Sequence, residues 1–233
     1  MNKQLLEVYY KSWEKLTLKL NEIINNDFHE TKPTNPLLIS VNEVTYQTAD
    51  IKVMIFGQET NDWDHNFHGN IESTIETYDD FYNSGYAQKS YGGHFWNGYN
   101  RFLLLLGEKY PGKTINCIWN NTIKIGASGR NKNNPPSYIY DIEHEHFDVI
   151  SSEIKILKPD VIIFLSGPNY DNEIIKALKK IDFKQFDQKF NQRQIAKINY
   201  KDFCNVYRTY HPNYLWRNNI NNYFTSIIDD ITL

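Results

Sequence analysis

Four short polar stretches carry most of the side chains that could bind or transform a ligand. They read GQET from Gly57, WNN from Trp119, SGPNYD from Ser166 and YHPNY from Tyr210. Amides donate and accept hydrogen bonds, carboxylates accept them, and an imidazole can do either near neutral pH. Such a set can hold a polar ligand and stabilise charge that develops on it.

Each polar stretch adjoins an apolar, β-prone segment. We therefore predict four short strands, over Ile51–Phe56, Ile115–Asn120, Val161–Gly167 and Asn205–Pro212, with Ile195–Tyr200 as a candidate edge strand. The Asn-, Gly- and Pro-rich stretch 121–137 is predicted to be a loop. Helical periodicity lies between the strands, which predicts an α/β fold with a short, mostly parallel central sheet of about four strands.

The predicted helices have apolar residues at helical spacing. They cover Leu5–Ile24, the region around Ile71–Asn83, a segment from His94 that stops at Gly107 or Gly112, Asp141–Leu157, Asp171–Lys180 and Ile220–Ile231. We find no linker that would divide the chain, so we expect one domain over 1–233 with an N-terminal helical extension over about 1–45. Ligands of such sheets bind beyond the carboxyl ends of the strands, where the four polar stretches would meet.

The order of these stretches resembles the motif order of the uracil-DNA glycosylase superfamily. In its best-known branch the first motif reads Gly-Gln-Asp-Pro-Tyr-His and the last reads His-Pro-Ser-Pro-Leu. The matching positions are Gly57 and Gln58, with Glu59 where the aspartate stands, and then His211, Pro212 and Leu215. The resemblance spans roughly Ile51 to the C-terminus, and its motifs are short but lie in the family order at strand ends.

The resemblance implies a three-layer α/β/α domain that flips a base out of DNA and cleaves its N-glycosidic bond, as in base-excision repair. Bond breaking builds positive charge on the sugar and negative charge on the departing base. Glu59 would stabilise the sugar or activate a water. His211 would donate a hydrogen bond to the base oxygen.

The same resemblance implies the residues that bind base and DNA. An asparagine that reads the base edge is expected at Asn120, and a ring for base stacking at Phe95 or Trp96. The implied base-binding set is Gly57, Gln58, Asn120 and Phe95. The implied DNA-contacting residues are Asn213 and Leu215, with Leu215 as the apolar wedge that fills the vacated stack.

The chain departs from the best-known branch at several motif positions. Glu59 is one methylene longer than aspartate, Thr60 replaces proline, and Asn61 replaces the tyrosine that helps to exclude thymine. Asn213 and Tyr214 replace Ser-Pro. The sequence therefore predicts uracil or a related damaged base without selecting one.

Each position also has a structural interpretation. Glu59 could cap a helix, His211-Pro212 could form a turn with a buried imidazole, Asn120 could make turn hydrogen bonds, and Leu215 could be core. The competing functional hypothesis is a non-catalytic nucleic-acid or nucleotide-binding protein on the same scaffold. A third is an interaction protein that keeps only the fold.

Charge limits the nucleic-acid hypothesis to a local patch, because the net charge is −3 and the pI about 6.2. Two basic clusters are candidates. One comprises Lys124, Arg130 and Lys132; the other comprises Lys176, Lys179, Lys180, Lys184, Lys189 and Arg193. The alternative interpretation of each, which the charge pattern favours, is a solvated helix face or loop.

The remaining counts argue against several classes of protein. There are only two cysteines, which argues against a zinc ribbon or an iron–sulfur cluster, and a metal site at the histidines of HNFH (residues 65–68) is a weak alternative. No stretch has the length of a membrane span, and the N-terminus lacks a signal-peptide pattern. We expect a cytoplasmic, reduced, monomeric protein with no cofactor, no metal and no membrane contact, and with DNA as its partner.

Overall fold

The computed structural model describes residues 1–61, 63–128 and 135–233 and is built around one β-sheet. Its strands in chain order are β1 (Lys32–Pro36), β2 (Ile51–Asn61), β3 (Ile115–Ser128), β4 (Val161–Phe164), β5 (Asp182–Lys184), β6 (Ile195–Asn199) and β7 (Val206–Thr209). They are hydrogen-bonded in the order β1-β3-β2-β4-β7-β6-β5.

Helices occupy most of the chain between the strands. The α-helices are α1 (Asn2–Ile24), α2 (Glu43–Thr48), α3 (Ile71–Tyr78), α4 (Gly93–Lys109), α5 (Ser137–His146), α6 (Ile150–Leu157), α7 (Asp171–Leu178), α8 (Pro212–Arg217) and α9 (Ile220–Asp230). Two π-helical turns (Asp79–Asn83 and Ala87–Tyr91) and a 3₁₀ turn (Pro168–Tyr170) complete the set.

The α/β class is confirmed, but the expectation of about four strands is wrong, since the sheet has seven. The four predicted strands are its parallel centre: β2 pairs in parallel with β3 and β4, and β4 with β7. Antiparallel strands β1, β6 and β5 extend both sides. The two prolines of KPTNP argue against a strand in the sequence, so β1 was not predicted. Proline is nevertheless tolerated in an edge strand such as β1. The candidate edge strand near residue 195 is β6, and the three-residue β5 lies outside it.

Strand β3 is longer than its sequence indicates. The sequence predicts a strand that stops at Asn120, and the segment after it resembles a loop because of its asparagines and glycines. The structure instead continues β3 to Ser128, where its second half pairs with β1 and with the end of β2. Gly126 makes this approach possible, because a Cβ there would lie 1.9 Å from the Thr60 carbonyl oxygen.

The predicted helices are confirmed in kind, with altered bounds. The helix expected over 141–157 is two helices, α5 and α6, because the chain leaves helical geometry between Phe147 and Val149. The helix expected around 71–83 becomes α3 followed by a π-helical turn.

The central strands lie deep in the core because both of their faces are apolar. Residues 53–56 of β2 and 161–164 of β4 are fully buried. Helices α4, α8 and α9 contact one another, and α1 contacts α5 and α6, with α6 also against α7. In the N-terminal region, where a helical extension is expected, α1 packs into the core through Leu5, Tyr9 and Leu16, and β1 joins the sheet.

Among the helices of the described ranges, none has both the length and the apolar character that a bilayer span requires.

Candidate functional site

The polar stretches meet at one edge of the parallel sheet because the strands are in register there. Gly57 of β2 lies beside Asn121 of β3, and Phe56 pairs with Phe164, the last residue of β4. Since β4 ends at Phe164 while β2 runs on to Asn61, the segment from Gly57 to Thr60 passes the end of its neighbour. The polar stretches GQET and WNN therefore lie within long strands rather than after short ones, and GQET, Trp119 and Asn121 line a cavity there.

The cavity has a volume of about 780 Å³. Its polar side chains include Gln58, Glu59, Asn121 and His211. Its aromatic wall comprises Trp63, Phe81, Tyr91, Phe95, Trp96 and Trp119, whose rings contact one another edge-on or tilted. A half-polar, half-aromatic cavity suits a flat heteroaromatic ligand, which needs faces to stack on and edges to hydrogen-bond.

Asp64 and Glu59 both line this cavity with a carboxylate, and Glu59 is the one that belongs to the GQET motif. Glu59 lies at an irregularity in the β2–β3 pairing between Glu59 and Asn61, the kind of bulge that redirects a side chain beside a functional site. Burial raises the pKa of its carboxyl above the ordinary value, and a hydrogen bond donated by the Tyr170 hydroxyl to Oε2 limits the rise. Tyr170 comes from the 3₁₀ turn after β4, so two strand ends jointly position one carboxylate.

His211 is held as a neutral hydrogen-bond donor. It precedes α8 as its N-cap, and its Nδ1 accepts a hydrogen bond from the backbone N–H of Asn213 at 3.2 Å. With Nδ1 occupied as an acceptor, the neutral ring carries its proton on Nε2. Burial, with a smaller contribution from nearby His94, lowers the pKa of the His211 imidazole to about 4. His211 is therefore uncharged at neutral pH.

Gly57, Phe95 and Asn121 pack tightly against one another in the lining of the cavity. A Cβ on Gly57 would lie 2.4 Å from Asn121 Oδ1 and 3.2 Å from Phe95 Cε2, so only glycine allows both to approach. The Phe95 ring is nearly parallel to the His211 ring, with centroids 6.1 Å apart. Gln58 is tied to the end of β4 by a 2.9 Å hydrogen bond from Nε2 to the Ser166 carbonyl.

The structure does not place Asn120 in the cavity. Its side chain is fully buried on the other face of β3, where Nδ2 donates to Glu153 and Oδ1 accepts from Lys124 Nζ. Side chains alternate along a strand, so only one of two adjacent asparagines can face the ligand. The register places Asn121, and not Asn120, in the cavity lining, so the expectation that Asn120 faces the ligand is wrong.

Leu215 is not placed as an exposed wedge. Its side chain is 0% exposed, packed in the core beneath α8, so it is unavailable to enter a base stack. The neighbouring Tyr214 and Trp216 are 42% and 41% exposed and take the outward positions. Asn213 is exposed at the start of α8, where its side-chain oxygen accepts a hydrogen bond from Arg217.

Of the two proposed basic clusters, the first has no exposed basic side chain among the described residues, whereas the basic residues of the second are exposed. Lys124 is buried, whereas Arg130 and Lys132 lie outside the described residues. In the second cluster, Lys176 pairs with Glu173 and Lys179 with Asp148, which fits a solvated helix face.

The histidines of HNFH separate. His65 lines the cavity, while His68 contacts Asp64 at 3.2 Å. In the part of the chain that the structure describes, no three His, Cys, Asp or Glu side chains are grouped to hold a metal ion.

Three residues of the site are not identifiable from the sequence motifs: Asn121 and Trp63, which line the cavity, and Tyr170, which contacts Glu59. Asn121 and Tyr170 lie inside the quoted motifs. Identifying Asn121 required the side-chain alternation of β3, and identifying Tyr170 required the geometry of the turn after β4. Trp63 carries no motif signal; its buried indole N–H has no hydrogen-bond partner among the described residues, so a ligand in the cavity could accept from it.

Comparisons with known proteins add no family to this description. No family model matches the chain, and the search of curated proteins found no match.

Proposed function

We propose that the protein is a DNA glycosylase that hydrolyses the N-glycosidic bond of uracil or a related damaged base. The observation that carries the proposal is the meeting of a half-buried carboxylate, Glu59, and a neutral imidazole donor, His211, in one aromatic-walled cavity. The carboxylate can stabilise the positive charge that develops on the sugar, and the imidazole N–H can stabilise the negative charge that develops on the base. The helices form two separate contacting groups, α4 with α8 and α9, and α1 with α5, α6 and α7, which supports the three-layer arrangement that the resemblance implies.

The flipped base would enter the cavity and stack on Phe95. Asn121, which presents both an amide donor and an acceptor, would pair with the edge of the base. His211 would donate from Nε2 to a base oxygen, and this bond strengthens as negative charge gathers on the departing base.

Glu59 would act on the sugar. Its ionised form stabilises the positive charge that develops there, and it can accept a proton from an attacking water. The Tyr170 hydroxyl fixes the orientation of the carboxylate and favours its charged form.

The test of the proposal is a panel of labelled oligonucleotides that carry uracil, hypoxanthine, xanthine or mismatched thymine, in single- and double-stranded form. Heat–alkali cleavage reveals abasic sites. Cleavage at one of these bases supports the proposal and identifies the substrate. No cleavage at any of them, from folded protein, contradicts it.

The pH dependence of the rate should depend on Tyr170. Because the reaction needs ionised Glu59, the rate falls as pH falls through the pKa of that carboxyl. Tyr170→Phe removes a hydrogen bond that favours the ionised form, so the pKa of Glu59 rises further and the acidic fall begins at a higher pH. Profiles of kcat/KM against pH for the two proteins check this. An acidic limb that stays in place or moves to lower pH would refute the positioning role.

Replacement of His211 should separate catalysis from helix capping. His211→Ala and His211→Asn each remove the imidazole donor, and each should lower kcat by about 10²–10³. Asparagine can still cap α8, so only the alanine variant should lose stability, by about 0.5–2 kcal/mol. Single-turnover rates and thermal unfolding measure the two effects. If His211→Asn keeps the wild-type rate, the imidazole has no catalytic role.

A second candidate is a non-catalytic nucleic-acid or nucleotide-binding protein. The raised pKa of the Glu59 carboxyl favours it, because a protonated Glu59 would hydrogen-bond a base without promoting cleavage. The same panel discriminates the two, since this candidate binds the oligonucleotides and leaves them intact.

A further inference from the structure

A second, shallower depression adjoins the cavity on the outer face of α4. It has a volume of about 460 Å³ and is lined by His94, Asn97, Asn100, Arg101, Leu104 and Trp216. We call it the α4 groove. We propose that the α4 groove binds the nucleotides next to the base held in the cavity, in single-stranded DNA; this inference rests on the proposed function.

The groove is a built feature of the α4–α8 contact. Its α4 residues recur at helical spacing, so they share one outward face of that helix. Gly98 lets α8 pack closely against α4, because a Cβ there would lie 2.5 Å from Pro212. The contact places Trp216 beside α4, where its indole Nε1 donates to the His94 carbonyl oxygen at 3.4 Å.

The groove adjoins the proposed base-binding cavity. His94 lines both of them, at the first turn of α4, directly before Phe95. A chain whose base lies on Phe95 would therefore have its next nucleotide at the mouth of the groove.

The charges of the lining suit a phosphate backbone. The groove presents the Arg101 guanidinium and two amides, and no carboxylate is among its lining residues, although the chain as a whole carries a net charge of −3. Arg101 is oriented by a 2.8 Å hydrogen bond from Nε to Asn221 Oδ1. A fixed guanidinium beside amide side chains is a suitable set of donors for a phosphodiester.

Exposed apolar side chains in the same groove favour single-stranded over double-stranded DNA. Trp216 is 41% and Leu104 53% exposed. A ring at this position can stack with an unpaired base, whose face is free, whereas the faces of bases in a duplex are already covered by their neighbours.

The experiment is fluorescence anisotropy with a labelled nine-nucleotide single strand that carries a 2′-fluorinated deoxyuridine at its centre. The fluorine disfavours positive charge on the sugar, so the strand binds without being cleaved. Trp216→Ala should weaken binding about tenfold, and Trp216→Phe, which keeps a ring, should retain most of the affinity. Arg101→Gln should lower the slope of log affinity against log salt by about one. Phe28→Ala removes a ring that is 95% exposed outside the groove, and it should change nothing.

Two comparisons localise the effect. The fluorinated mononucleotide should compete for the cavity equally well in wild type and Trp216→Ala, because it does not reach the groove. Equal affinity of wild type and Trp216→Ala for the nine-nucleotide strand overturns the inference. So does tighter binding of the duplex, or of an RNA of the same sequence.

Failure of this inference is distinguishable from failure of the proposed function. If binding depends on Trp216 but no base is released from an unmodified uracil strand, the groove proposal is supported and the glycosylase proposal is rejected. If base is released but binding does not depend on Trp216, the glycosylase proposal is supported and the groove proposal is rejected.

Discussion

Glu59→Gln is expected to lower the rate of base release by about 10³ while the protein stays folded. The substitution keeps the size and the acceptor oxygen that the Tyr170 hydroxyl contacts. It removes the negative charge that would stabilise the sugar and the basicity that would activate water, contributions of roughly 10²–10⁴ for a positioned acid–base group. Single-turnover base excision measures the loss.

The control for this variant is Glu108→Gln, which removes an exposed carboxylate on α4 outside the cavity lining. It should keep the wild-type rate, and both variants should show wild-type circular dichroism and thermal unfolding. Because a charge is removed from a partly buried site where its ionised form is disfavoured, Glu59→Gln should also leave stability unchanged or slightly raised. An undiminished rate in Glu59→Gln would exclude the carboxylate from the mechanism.

Lys124→Met is expected to destabilise the fold more than any of the substitutions at the cavity or the α4 groove. Lys124 is fully buried, and its Nζ donates to Glu153 Oε1 at 2.6 Å and to Asn120 Oδ1 at 2.9 Å. Tyr9 donates to the same glutamate oxygen at 2.7 Å, so the group links α1, β3 and α6. Removal of the cation leaves a buried carboxylate without its counter-charge, which costs about 3–5 kcal/mol of unfolding free energy.

Urea unfolding measures this cost. The double variant Lys124→Met, Glu153→Gln should recover part of it, because the unpaired charge is gone. Lys19→Met serves as the matched control: Lys19 pairs with Glu22 on the exposed face of α1, so its change should be within about 1 kcal/mol. A cost for Lys124→Met no larger than that of the control would show that the buried pair does not stabilise the fold.

The parallel centre of the fold was predictable because its strands are apolar on both faces. β2, β4 and β7 are recognisable in this way, and parallel pairing then brings their carboxyl ends together. The outer strands were not predictable, because their identity depends on partners. KPTNP becomes β1 only since the second half of β3 is there to pair with it.

The candidate site was predictable in chemistry but not in detail. Glu59, His211, Gly57, Gln58 and Phe95 do converge on one cavity. The choice between the two asparagines of WNN was not available from the motif, because it depends on which face of β3 each side chain occupies.

The wedge role was predicted for Leu215 from its position in the motif, whereas the burial of its side chain depends on how α8 packs. That packing depends on Gly98 of α4, more than one hundred residues earlier in the chain. The aromatic wall likewise assembles from separate segments between Trp63 and Trp119, and no local spacing indicates it.

The most direct test of the central claim is chromatographic detection of free base released from a single-stranded uracil oligonucleotide, with Glu59→Gln beside the wild type. Our account predicts free uracil from the wild-type protein, in equal amount to abasic sites in the strand, and at least about 10² less from the variant. If folded wild-type protein releases neither uracil nor the other bases of the panel, or if the variant releases base at the same rate, the assignment of a glycosylase that uses Glu59 is contradicted.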